Sequence, residues 1–209
     1  MRIMMSGLLL IAAVLGLAGC STMNEQACLV TDWHAVGFED GTSGRGVGNV
    51  ARYRQACTRH GVVPDLAEYR AGHGEGVLVF CRAGNGFEVG RRGYQYQGVC
   101  PAELEPSFLA AYADGRELYE LESAVRSVEN QIASRHRRIE EINRELASAS
   151  AAIIADGTSA ETRAELLLSS AAMAKEQGQI SEEITSLEQE RVLLEADLRA
   201  YRQTLAFVF

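Results

Sequence analysis

The sequence predicts a mainly α-helical protein in two parts: a small disulfide-braced, glycine-rich helical domain, and a long antiparallel two-helix coiled-coil hairpin. Three observations predict it. Most glycines, all three prolines and every cysteine of this 209-residue chain fall before residue 116. Beyond it the chain turns to Ala, Glu, Leu, Arg and Ser, with Gly157 and Gly178 its only glycines. Apolar residues there recur at steps of three and four, the spacing that keeps one stripe along a helix.

The first element is a targeting segment. Arg2 gives a positive start, Met4 to Leu17 an apolar run, and Leu17-Ala18-Gly19-Cys20 closes it with small residues directly before a cysteine. The run is short for a bilayer span and ends in a processing site, so residues 1–19 read as a lipoprotein signal peptide outside the fold. Cys20 is then expected to head the mature chain, carrying a diacylglyceryl group on sulfur and an acyl chain such as palmitate on its amine. Two or more chains anchor stably where one binds reversibly. Residues 20–27 form the lipidated linker. Ser21 after the cysteine resembles the sorting signal that sends Gram-negative lipoproteins to the inner leaflet of the outer membrane, facing the periplasm. The formal charge of −8 becomes −9 once Arg2 is removed. That balance speaks against nucleic acid, and anionic lipid is expected to repel the mature chain, leaving attachment to the acyl chains.

Residues 28–116 form the first domain. Its cysteines, Cys28, Cys57, Cys81 and Cys100, make an even set in an oxidising compartment and read as two disulfides. Three connectivities exist; Cys28 with Cys57 and Cys81 with Cys100 is favoured because each closes a local loop, for roughly 3 kcal/mol apiece in the chain-entropy model. No C-x-x-C or H-x-x-x-H spacing points to a metal. Asn49 to His60 reads as a short helix with Asn49 as N-cap and Gly61 just past its end, and Pro64-Asp65 opens another. The pairs Gly37/Gly41, Gly72/Gly76 and Gly86/Gly90 are four apart, which on helices permits close backbone approach. Val77 to Cys81 and Phe87 to Gly98 are alternatively a minor β-hairpin. Segments 34–41, 69–76 and 110–115 share an aromatic or histidine ahead of a closing acid-glycine. An imperfect repeat and plain glycine-terminated helices explain this equally well.

The order Gly37-x-x-Asp40-Gly41, Cys57, Pro64-Asp65, Tyr69-x-x-Gly72, Cys81, Asn85-Gly86-Phe87, Gly90-x-x-Gly93-x-x-Tyr96-x-Gly98-x-Cys100-Pro101 and Phe108-x-x-x-Tyr112-x-x-Gly115 resembles a family of bacterial lipoproteins catalogued as domain of unknown function 2799. The resemblance covers about residues 28–120. It implies a compartment and a fold unit, and no catalytic residue.

Residues 117–209 form the hairpin. Leu118, Leu121, Val125, Val128, Ile132, Ile139, Ile142, Leu146 and Ala149 make one stripe, interrupted at Arg135, and Leu166, Met173, Ile180, Ile184, Leu187, Leu194 and Leu198 the other. A turn near 155–160 joins them. Antiparallel pairing of Ala149 with Leu166, Ile142 with Met173, Ile132 with Ile184 and Leu121 with Leu194 keeps the paired numbers adding to 315 or 316. The same register puts Arg135 and Arg191 on the seam, reaching Glu183 and Glu129, and docks Leu205 and Val208 near Ala111 and Phe108. Leu167, Leu168, Val192 and Leu193 lie off the stripe and serve either a further partner or a wider seam.

For chemistry, the candidates are Asp32, His34, Glu39, Asp40, His60, His73 and Glu75, since a histidine near a carboxylate is the minimum for proton transfer. No nucleophile elbow or phosphate-cradling loop accompanies them. No enzyme, cofactor, metal or small-molecule ligand is therefore expected. His136 reads as solvated. The leading expectation is a structural or protein-interaction lipoprotein whose hairpin meets an envelope protein or a second copy. The alternative is a peptidoglycan- or glycan-binding module using an aromatic face of Trp33, Tyr53, Tyr94 and Tyr96.

Overall fold

In the computed structural model, residues 23–206 are described; Cys20 and Val208 lie outside them. Seven α-helices run in order among these residues: α1 (Glu25–Val30), α2 (Trp33–Thr42), α3 (Val50–Thr58), α4 (Leu66–Phe80), α5 (Ala83–Arg91), α6 (Glu105–Ile154) and α7 (Ala160–Leu205), with a single 3-10 turn at Val47–Asn49. No strand is present among them, so the minor β-hairpin is corrected. Val77 to Phe80 finishes α4 and Phe87 to Arg91 lies in α5; Gly90 serves a helix face, whereas Gly93, with φ of +74°, takes the turn after α5. No helix among the described residues is long and apolar enough to cross a membrane. The described residues fall into two compact units, divided between Gly76 and Val77.

In the N-terminal unit, capping side chains start the helices. Asn24 accepts from Ala27 N at 2.8 Å, Asp32 from Ala35 N at 3.1 Å, and Asp65 from Ala67 N at 2.9 Å. Asn49 does not cap α3; it ends the 3-10 turn and turns its amide to Asp40. Gly61, with φ of +74°, leads the chain out of α3, where a side chain would be strained. The core gathers Trp33, Tyr69 and the Cys28–Cys57 disulfide, with Met23, Val36, Val50, Tyr53 and Val62 around it.

In the C-terminal unit, the end of α4 and α5 pack with the start of α6. Val77, Phe80, Phe108 and the Cys81–Cys100 disulfide form the core, so both bridges close local loops. The Tyr96-x-Gly98-x-Cys100-Pro101 element folds back on itself: Tyr96 OH donates to Glu105 at 2.9 Å and accepts from Cys100 N at 2.8 Å. Asn85 donates to Phe80 O at 2.7 Å. From there α6 runs on for 50 residues without a break. It starts at Glu105 and not near 117, because Phe108, Ala111 and Gly115 continue the three-and-four spacing of the heptad stripe into Leu118.

The two long helices form an antiparallel hairpin within one chain. Leu121 and Leu194 share a cluster with Leu118, Val125 and Leu198, and farther out Ile142, Ile180 and Ile184 pack with Ile139, Leu146 and Met173. Register shows in Arg138–Glu176 at 2.8 Å, Gln177 to Asn143 at 3.0 Å, and Tyr201 OH to Asp114 O at 3.0 Å. At the turn, Gly157 takes φ of +88°, Thr158 Oγ1 donates to Ala152 O, and Ser159 caps α7. At 1.5 Å per residue, the 46 residues of α7 span about 70 Å.

Arg135 meets Glu183 at 2.6 Å, as the register requires. Arg191 turns to Glu195 on its own helix and not to Glu129; its buried Nε lies 3.5 Å from the Glu195 carboxylate but without the geometry of a hydrogen bond. An unsatisfied buried donor costs about 1 kcal/mol or more. Arg191→Leu is therefore expected to raise the hairpin's stability by about 1 kcal/mol, read from the midpoint of urea unfolding followed by circular dichroism.

Candidate functional site

Both units are built around the same device, two helices touching through glycine. In the N-terminal unit α2 meets α4: a Cβ on Gly37 would sit on the Tyr69 carbonyl and 2.9 Å from His73 N, and one on Gly76 would sit on the Phe38 carbonyl and 2.8 Å from Thr42 N. In the C-terminal unit α5 meets α6 in the same way: Gly86 faces the Phe108 carbonyl, and Gly115 faces the Phe87 carbonyl and Arg91 N. Backbones this close leave no room for a methyl group.

The equivalent residues carry equivalent sequence. Gly37-Phe38-Glu39-Asp40-Gly41 matches Gly86-Phe87-Glu88-Val89-Gly90, and Tyr69-Arg70-Ala71-Gly72-His73-Gly74-Glu75-Gly76 matches Phe108-Leu109-Ala110-Ala111-Tyr112-Ala113-Asp114-Gly115. The repeat is real, with a different frame from the expected one. Segments 34–41 and 69–76 are the two faces of one helix pair and not copies of each other. The disulfides follow the repeat loosely: Cys28 lies nine residues before Gly37, and Cys81 five before Gly86.

The two copies differ most at Asp40. Its counterpart Val89 and the Tyr69 counterpart Phe108 are apolar and pack together in the C-terminal core. Asp40 is 1% exposed and held by four side chains: Asn49 Nδ2 at 2.6 Å, Tyr69 OH at 2.7 Å, Arg45 Nη1 at 2.8 Å and Tyr53 OH at 3.2 Å. His73 stacks on Tyr69 and its Nε2 lies 2.7 Å from the Arg45 carbonyl. Burial pushes the Asp40 carboxyl up, but the hydrogen bonds from Asn49, Tyr69 and Arg45, with the Arg45 charge, outweigh it and hold the pKa below the ordinary aspartate value. Burial first, and then the bond to that carboxylate, pushes the Tyr69 and Tyr53 hydroxyls up.

This network is a fastening. A carboxylate with four donors has no lone pair directed at a substrate; it ties residues 43–49, which lead into α3, to the α2–α4 pair. The other acid-base candidates are dispersed. Asp32 is spent as a cap, and His34 pairs with Glu75 at 3.4 Å on the surface. His60 and Glu39 are exposed on α3's exit and on α2. No group of three or more His, Cys, Asp or Glu among the described residues is placed to hold a metal.

Of the aromatic residues considered for glycan, Trp33 is 8% exposed and packs edge-on to Tyr53, 6.0 Å between ring centres. Tyr53 turns its hydroxyl inward to Asp40, and Tyr96 packs against Phe108. Tyr94 alone of the four is strongly exposed, at 62%. They make no common aromatic face within either unit, because the rings are the cores of small domains. The pentapeptide repeat, legible at 37–41 and 86–90, was the signal that singles out Asp40, and a search for catalytic spacings passes over it.

Residues 32–117, which contain both copies of the glycine-paired unit, match the model of a family described as Protein of unknown function (DUF2799). No curated protein and no solved structure matches the chain.

Proposed function

We propose that this chain, whose residues 32–117 match the DUF2799 family model, is a lipid-anchored, non-catalytic envelope protein that uses its α6–α7 hairpin as an arm to hold another envelope protein. What carries this reading is the outer surface of α7. Leu167 and Leu168 near the tip are 57% and 73% exposed, Val192 and Leu193 55% and 67%, and Ile154 at the end of α6 is 81% exposed. They add nothing to the hairpin seam, and adjacent exposed leucines on a rigid helix are the anchors by which helices join partners. The sequence before Met23 supports the anchor: an apolar run closed by Leu17-Ala18-Gly19-Cys20, with Ser21 directing outer-membrane placement.

Two variants test it. Cys20→Ala is expected to abolish palmitate labelling and to release the protein from membranes without detergent. Replacing residues 140–176 by a short turn leaves the inner seam around Leu121 and Leu194 intact and removes the tip. Affinity purification from cross-linked membranes is expected to recover a defined envelope protein with the full chain and to lose it with the shortened arm that also carries Val192→Ser and Leu193→Ser; equal recovery with both would refute the arm as the binding element.

A further inference from the structure

Arginines are paired unevenly along the chain. In the C-terminal unit most stand in ion pairs, Arg91 with Glu88, Arg135 with Glu183, Arg138 with Glu176 and Arg202 with Glu122 among them. In the N-terminal unit Arg45 is spent on the buried Asp40. Between Gly41 and Pro64 the sequence holds Arg45, Arg52, Arg54, Arg59 and His60 and no acid, in a chain of net charge −8. On α3, Ala56 and Cys57 point inward, while Arg52, Arg54 and Arg59 flank an outer face of Ala51, Gln55 and Thr58. Ala51, Arg54, Gln55 and Thr58 line a shallow depression there. Arg52 and Arg59 bond only to neutral oxygens, of Asn49 and Gln55, and among the described residues none of the three is in an ion pair.

A second observation keeps this unit close to the membrane. The chain enters the unit at Met23, which packs beside Cys28 and Cys57, three residues after Cys20; three extended residues reach about 10 Å, about one Debye length at 0.1 M salt. With Cys20 acylated, a premise this inference takes from the proposed function, the unit is held in the headgroup zone. We propose that the outer face of α3 docks on anionic phospholipid headgroups of the anchoring membrane, with Arg52, Arg54 and Arg59 taking the phosphates. Guanidinium forks suit phosphate oxygens and are weakly hydrated. Leu29 and Val30, 62% and 69% exposed, follow Cys28, which the disulfide ties to Cys57 of α3, and add an apolar edge to the same end. The net charge of −8 is a sum over the whole chain, and this face carries none of its acids.

The test uses the mature chain, residues 20–209, with Cys20→Ser, so that no acyl chain contributes. At low salt it is expected to sediment with phosphatidylglycerol vesicles and not with phosphatidylcholine vesicles, and binding should fall as salt rises. Arg54→Gln alone should weaken it about fivefold, and R52Q/R54Q/R59Q together about 100-fold, at about a factor of five per arginine near an anionic surface. Equal binding by parent and triple variant, equal binding to both vesicles, or no binding to phosphatidylglycerol would overturn the proposal. The acyl anchor is read separately by palmitate labelling of the full chain, so either can fail while the other stands.

Discussion

Gly37→Ala is expected to destabilise the N-terminal unit by about 3 kcal/mol, whereas Gly74→Ala, two residues before Gly76 on the facing helix α4, is expected to stabilise it by up to about 1 kcal/mol. Alanine is the better helix former at both positions by about 1 kcal/mol, so propensity alone predicts two gains. Space decides. A Cβ on Gly37 meets the Tyr69 carbonyl and the His73 amide, and backbone atoms cannot move aside as a side chain does; one on Gly74 meets nothing within 4 Å. Separating α2 from α4 to admit the methyl group would also pull Asp40 from Tyr69. Trp33, the single tryptophan, lies in this unit's core and reports its unfolding by fluorescence. Two equal shifts in the urea midpoint would mean that the helices do not meet at Gly37.

Asp40→Asn is expected to cost about 2–3 kcal/mol at pH 7, because Asp40 is buried while Arg45 is half exposed, and the loss comes from hydroxyl and amide donors left without a full acceptor. An amide cannot accept from Arg45, Asn49, Tyr53 and Tyr69 together. The effect has a pH signature. Asp40's pKa is depressed in the fold, so the stability it brings is complete above the ordinary aspartate pKa, about 3.9, and is lost as pH falls through the lower folded value. The gap between parent and variant should thus narrow only in acid. The Tyr69 hydroxyl is shifted the other way, so its contribution is complete below the ordinary tyrosine pKa of about 10 and is lost as pH climbs through its raised folded value. The second helix pair supplies a control. Asp40→Val with Tyr69→Phe imports the Val89 and Phe108 arrangement; the double variant should cost less than the sum of the singles by 1 kcal/mol or more, since two mutual partners removed together leave fewer orphaned groups.

The hairpin was the most legible part of the sequence because its determinants are local and periodic. Each heptad residue carries its own vote, and Leu121 meets Leu194 because some thirty residues on either side keep count. Local loop closure also favoured the observed disulfides. The glycine-rich half was harder. In α4, the four-residue spacing of Gly72 and Gly76 points to close backbone approach, as the structure has it, but not to which helix they meet, which is α2. That information sits about 35 residues away, and no window along the chain contains it. Arg191 went astray for a simpler reason: a seam position fixes where a side chain starts, and a long flexible arginine then chooses a partner, here Glu195 of its own helix. The Asp40 network was legible only by comparing the two pentapeptides, where a buried acid replaces a valine on the same scaffold.

Site-specific photo-crosslinking in living cells measures the reach of the arm directly. A photoreactive residue at Leu168, exposed near the tip, is compared with one at Ile142, sealed in the seam. The account predicts that Leu168 yields an adduct of one defined mass containing a second envelope protein, and that Ile142 yields only contacts with α7 of its own chain. Adducts from Leu168 to its own chain alone, or none at all while positions outside the hairpin capture a partner, would contradict it.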